Sequence, residues 1–123
     1  MKLVSRESLQ QDKIRALVPD IEIIIVDSNR EYLDEIADTD IAIGIDPEIW
    51  PDLLRRGNRL KWAHTSSAGV DSFLCAELYA SSVVLTCAKN GPAGPNLADH
   101  ALGLLLALSR NIHKASRSTE WRR

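Results

Sequence analysis

Two stretches of this chain hold residue types that could do chemistry. The first is Thr65-Ser66-Ser67-Ala68-Gly69-Val70-Asp71, set between a strand-like run and a helix-like one. Ligands of open parallel sheets bind at the edge where strands end and helices begin. A glycine there lets the backbone come close to a ligand, and the amides of a helix start attract a carboxylate or a phosphate. The same residues also describe a plain strand-to-helix turn, with Thr65 or Ser67 as the cap and Asp71 in the first turn. Local sequence leaves both readings open. The second stretch contains His100, beside Asp99 at the start of an apolar segment, where the positive end of a helix favours a neutral imidazole. Nothing next to His100 completes an acid–base pair, so it reads as a structural histidine before a catalytic one. His64 reads as core or sheet-face packing, and His113 as an exposed helix residue. No HExxH, phosphate-loop or Ser-His-Asp order occurs, so no catalytic residue and no metal ligand is assigned.

The elements that must hold these residues follow from periodicity. Near-continuous apolar runs at 21–26 (IEIIIV) and 41–45 (IAIGI) read as strands buried on both faces, followed by strands at 60–65 (LKWAHT) and 83–87 (VVLTC). Lys2, Leu3 and Val4 suggest the remnant of a first strand. Helical patterns lie between, at 7–18, 31–37, 47–56 and 70–80; the third has Pro47 in its first turn and Gly57 after its end. Strands alternating with helices describe an α/β domain with a parallel sheet of four to five strands. Residues 90–94 (NGPAG) read as a loop, with Pro95 and Asn96 opening a new helix, Asn96 as its N-cap. From Leu97 to Leu108 that helix has almost no polar face, which predicts a helix buried on all sides. A terminal helix of this kind needs a second domain or subunit to cover it.

Length and charge narrow the classes further. One domain is what 123 residues provide, and 45% hydrophobic with 26% charged residues excludes disorder, collagen and coiled coil. A net charge of −2 leaves no footprint for nucleic acid. Five basic residues against Glu120 in the segment 110–123 read as a helical connection carrying Trp121 rather than a nucleic-acid arm. Cys75 and Cys87 have no metal or CxxC spacing and read as free thiols of a reducing compartment. With no signal-length or membrane-length apolar run, the expected location is the cytoplasm.

Residues 60–74 (LKWAHTSSAGVDSFL) followed by 83–112 (VVLTCAKNGPAGPNLADHALGLLLALSRNI) strongly resemble the N-terminal substrate-binding domain of the D-isomer-specific 2-hydroxyacid dehydrogenases. This group includes phosphoglycerate, glyoxylate/hydroxypyruvate and formate dehydrogenases. The ordered succession of a strand ending in SAGVD, a VxLT strand and Ala98-Asp99-His100 carries the resemblance. It implies a flavodoxin-like three-layer domain with strand order 2-1-3-4-5 over residues 1–94. Linker and dimerisation helices over 95–123 would lead to a Rossmann NAD(P) domain. It further implies a 2-oxo or 2-hydroxy acid substrate whose carboxylate meets the backbone of Ala68, Gly69 and Val70, and a homodimer formed through residues 97–108. Asn96 is a candidate contact to cofactor or substrate. The family's GxGxxG motif and its catalytic Arg, Glu and His have no counterpart in the chain, and His100 matches none of them. The expectation is therefore an NAD- or NADP-dependent activity belonging to a longer enzyme, with no cofactor bound by this chain alone and no turnover from it. Two alternatives remain: a non-enzymatic flavodoxin-like module that oligomerises through its terminal helix, and an FMN-binding flavodoxin relative, which would need a Ser/Thr-rich phosphate loop after its first strand.

Overall fold

The computed structural model describes residues 1–89 and 93–118, which group into two compact units, Met1–Lys89 and Asn90–Arg123. In the first unit, strands β1 (Lys2–Ser5), β2 (Glu22–Ile25), β3 (Ile41–Ile43), β4 (Trp62–Thr65) and β5 (Val84–Cys87) alternate with helices. These are α1 (Gln11–Leu17), α2 (Asn29–Glu35), α3 (Trp50–Arg56) and α4 (Ala76–Ala80). Short 3-10 turns at Ile36–Asp38, Pro47–Ile49 and Asp71–Phe73 extend α2, open α3 and precede α4. All pairings are parallel, in the order β2-β1-β3-β4-β5. The α/β reading holds, with five strands.

Alternate residues of a strand point to opposite faces, so the register sorts the side chains. Val4, Ala42 and Ala63 share one face, fully buried beneath Tyr32 and Ile36 near α2 and Trp50 and Leu53 of α3. On the opposite face lie Leu3, Ile41, Ile43 and Trp62, where α1 leaves an apolar groove of about 400 Å³. Helices on both faces make three layers.

The amino edge of the sheet is closed by charge. Asp40, just before β3, is buried and accepts from the Lys2 amide at 2.9 Å, the Arg59 guanidinium at 3.1 Å and the Lys61 ammonium at 3.4 Å. The Lys2 amide above all, with Lys61 and Arg59, holds its carboxyl below the ordinary value of 3.8. Burial disfavours the charge on Lys2, but Asp38 at 2.6 Å and Glu35 at 2.7 Å outweigh it and raise the lysine above its ordinary value.

Several expectations need correction. The first strand is no remnant: β1 is four residues long, buried throughout and paired on both sides. The run 21–26 is not buried on both faces, because β2 lies at the sheet edge and exposes Glu22 and Ile25, while only the flanking Ile21 and Val26 are buried. Segment 70–80 is not one helix; Leu74 and Cys75 are extended and separate the 3-10 turn from α4. The first helix starts only at Gln11, since residues 6–10 form a turn at the carboxyl edge.

In the second unit, α5 (Ala93–Ser109) and α6 (Ile112–Ala115) are joined through Asn111 in the left-handed region. Of the expected loop 90–94, residues 90–92 lie outside the described residues, whereas Ala93 and Gly94 are already helical. Asn96 is therefore inside the first turn and not the N-cap. The helix expected to be buried on all sides is instead exposed: Leu97, Leu102, Leu104, Leu105, Leu106 and Leu108 each show more than half of their surface. Trp121, Glu120 and the last two arginines lie outside the described residues. Among the described residues, no helix is long and apolar enough to cross a membrane.

Candidate functional site

The loop after β4 is pinned at both ends and open between them. At its start the buried Thr65 hydroxyl accepts from the Ser67 amide at 3.2 Å, and the Ala88 amide beyond β5 donates to the Ser67 carbonyl at 3.1 Å. At its far end the Phe73 amide donates to the Val70 carbonyl at 2.8 Å. Phe73 is fully buried edge-on against Trp50, whose indole N–H donates to the Phe73 carbonyl at 2.8 Å. Between these anchors, the N–H groups of Ala68, Gly69 and Val70 have no partner among the described residues. Ala68 and Gly69 are exposed. A Cβ at Gly69 would meet nothing closer than Asp71 Oδ2 at 3.5 Å, so the space above the loop is free for an external group. Three successive unpaired amides are donors suited to a carboxylate.

The competing capping reading fits only in part. Thr65 does bind an amide of the loop and Asp71 does open the 3-10 turn, but neither Thr65 nor Ser67 caps a helix, and α4 begins five residues after Asp71 with Cys75 before it. Capping by these side chains leaves the amides of 68–70 unclaimed.

Neighbouring strand ends complete the edge. The Tyr32 hydroxyl lies 3.0 Å from the carbonyls of both Val4 and Ile43, bridging β1 and β3 where the chain order reverses direction across the sheet. Burial pushes its pKa well above the ordinary value. Gly44, directly after β3, has φ +68, and a Cβ there would stand 2.7 Å from Glu7 Cγ. The Glu7 side chain thus runs across the end of β3 and accepts a hydrogen bond from Ser66 Oγ at the start of the loop. Arg6 turns elsewhere, to Asn29 at 2.6 Å and Asp46 at 3.6 Å. Sequence reading missed Glu7, which looked like the start of a helix; the available signal was a lone glycine inside the apparent strand 41–45, a mark of close approach.

Among the described residues, none of the three histidines hydrogen-bonds to the loop 66–70 or stacks on it. His64 packs on the sheet face with Nδ1 2.9 Å from Thr86 Oγ1, as expected. His100 and His113 are exposed on α5 and α6.

No protein-family model matches the chain. D-3-phosphoglycerate dehydrogenase of Methanocaldococcus jannaschii is 25% identical over 129 residues, spanning all of this chain and 24% of that protein. A D-isomer specific 2-hydroxyacid dehydrogenase family protein from Aeromonas salmonicida superposes with a TM-score of 0.67 at 24% identity, over 98% of this chain and 40% of that one. The chain resembles the D-isomer-specific 2-hydroxyacid dehydrogenases. It spans about a quarter of the curated relative's length. A further dehydrogenase of this fold is the NAD-dependent formate dehydrogenase of Staphylococcus aureus in complex with NAD, with a TM-score of 0.62 and 22% identity over 99% of this chain and 43% of that chain. In this chain the β1–α1 turn, which would have to cradle a dinucleotide, reads Arg6-Glu7-Ser8-Leu9-Gln10, has no glycine, and sends a carboxylate across the strand ends. That turn does not fit a phosphate or diphosphate, whether of NAD or FMN. Asn96 is exposed on α5.

Proposed function

We propose that the chain is the substrate-binding domain of an NAD(P)-dependent D-2-hydroxyacid dehydrogenase. It binds the carboxylate of a 2-oxo or 2-hydroxy acid on the amides of Ala68, Gly69 and Val70. The observation that carries this reading is the row of three unpaired N–H groups at the carboxyl edge of a 2-1-3-4-5 sheet. Loop and sheet are held rigidly by Trp50, Phe73 and Thr65, so the donors are in place before the ligand arrives. In such an enzyme the nicotinamide supplies the hydride, and this domain's residues bind and orient the acid.

Amide chemical shifts test the reading. Glyoxylate or hydroxypyruvate should move the signals of Ala68, Gly69 and Val70 above all others, and silence at all three would end the proposal. The 123-residue chain with NADH and either acid should show no turnover, so measurable NADH oxidation would contradict the assignment of hydride transfer to a second domain.

The exposed leucines of α5 support a second reading, in which residues 97–108 pair two copies of the chain, within such an enzyme or in a non-enzymatic module. Light scattering should then give a dimer, and Leu104→Glu with Leu105→Glu a monomer.

A further inference from the structure

The charge around the loop says more about the acid that fits there. Going across the carboxyl edge in sheet order, Glu7 follows β1, Gly44 follows β3, the loop follows β4, and Ala88 and Lys89 follow β5. Glu7 crosses Gly44 to reach Ser66, two residues before Ala68. On the loop's other flank Asp71 Oδ2 stands against Gly69. Two carboxylates thus border the amides of 68–70. Of the nearby cations, Arg6 is engaged by Asp46, and Lys89, next to the residue that binds the Ser67 carbonyl, is on the β5 side. One anion can be met by the three amides; a second anion on the same ligand faces Glu7 and Asp71, and Arg6 on the Glu7 side is engaged by Asp46.

Resting on the carboxylate site proposed above, we infer that Glu7 is its specificity-determining residue. It carries a fixed negative charge across the end of β3, so that the site accepts an acid with one carboxylate and a neutral or cationic remainder and rejects one carrying a phosphate or second carboxylate. Gly44 makes this possible, because any side chain there would displace Glu7 from the crossing.

The test compares D-glycerate with 3-phosphoglycerate, which differ by one phosphate, on the 123-residue chain at fixed ionic strength, by titrating the amide signals of Ala68, Gly69 and Val70. D-glycerate should bind about tenfold or more tightly than its phosphate ester. Glu7→Gln keeps an acceptor for Ser66 but removes the charge, and should narrow the ratio about fivefold by strengthening the ester alone. Ser66→Ala keeps the charge but releases Glu7 from its hold on the loop, and should narrow the ratio less than Glu7→Gln does. If 3-phosphoglycerate binds as well as D-glycerate to the unaltered chain, or if Glu7→Gln leaves the ratio unchanged, the role of Glu7 is overturned while the carboxylate site stands. If neither acid moves the three amides, the site itself fails and the role of Glu7 fails with it.

Discussion

The two edges of the sheet use polar groups in opposite ways. At the amino edge, Asp40 gathers a backbone amide and two cations, and Lys2 gathers two carboxylates, so that buried charge is matched inside the fold. At the carboxyl edge, the amides of Ala68, Gly69 and Val70 have no partner among the described residues, and the carboxylate of Asp71 stands near Gly69 without binding them. Satisfied polar groups stabilise and specify a fold, whereas unsatisfied exposed ones are available to a ligand. The contrast puts matched buried charge at one end of the strands and the proposed carboxylate loop at the other.

Substitutions should separate the two edges. The largest effect is expected from Asp40→Ala, which leaves the buried Lys2 amide without its acceptor and should lower the stability measured by urea unfolding by about 2 kcal/mol, with the 68–70 signals unmoved by the change. Gly44→Ala forces a side chain into the left-handed region and against Glu7, and should cost about 1–2 kcal/mol; unlike Asp40→Ala, it should also perturb Ser66 and the loop. Smaller again is an acid effect. The carboxyl of Asp40 is held below its ordinary value, so its contribution is present above that value and lost as pH falls through the folded one. Asp40→Asn should therefore flatten the fall of the unfolding midpoint below about pH 4. Gly69→Ala should have the least effect on stability, within about 0.5 kcal/mol, because its Cβ would find open space and only ordinary contact with Asp71. If it nevertheless lowers the affinity for glyoxylate severalfold, the carboxyl edge is a binding edge; if it changes stability and leaves binding alone, the contrast between the edges breaks.

Much of this arrangement is legible in the amino-acid order. Alternating β-branched runs and helical patterns give the α/β architecture, and the turn after β4 stands out because small residues and an acid follow a strand. What local pattern does not reveal depends on distant residues meeting. Lys2 and Asp40 are 38 positions apart, and Glu7 and Ser66 are 59 apart, so their pairing appears only once strand order brings them together. Composition likewise suggests that 21–26 is interior, but a strand's apolar content does not say whether it has one neighbour or two. The leucines of α5 mislead for a related reason: periodicity reports what a helix would bury, not whether this chain supplies the surface to bury it.

Tyr32 offers an internal indicator of the integrity of this sheet. Its hydroxyl has one proton to share between the carbonyls of Val4 and Ile43, and its burial raises the pH at which that proton can leave. Losing it would place a negative oxygen against two carbonyl dipoles and part β1 from β3. The phenolate absorbance of Tyr32 should therefore appear only as the sheet comes apart. Its stabilising contribution, fully present below the ordinary tyrosine value of 10.0, should be lost as the solution is made more alkaline, so an ultraviolet titration of the Tyr79→Phe variant reads cohesion at the centre of the fold.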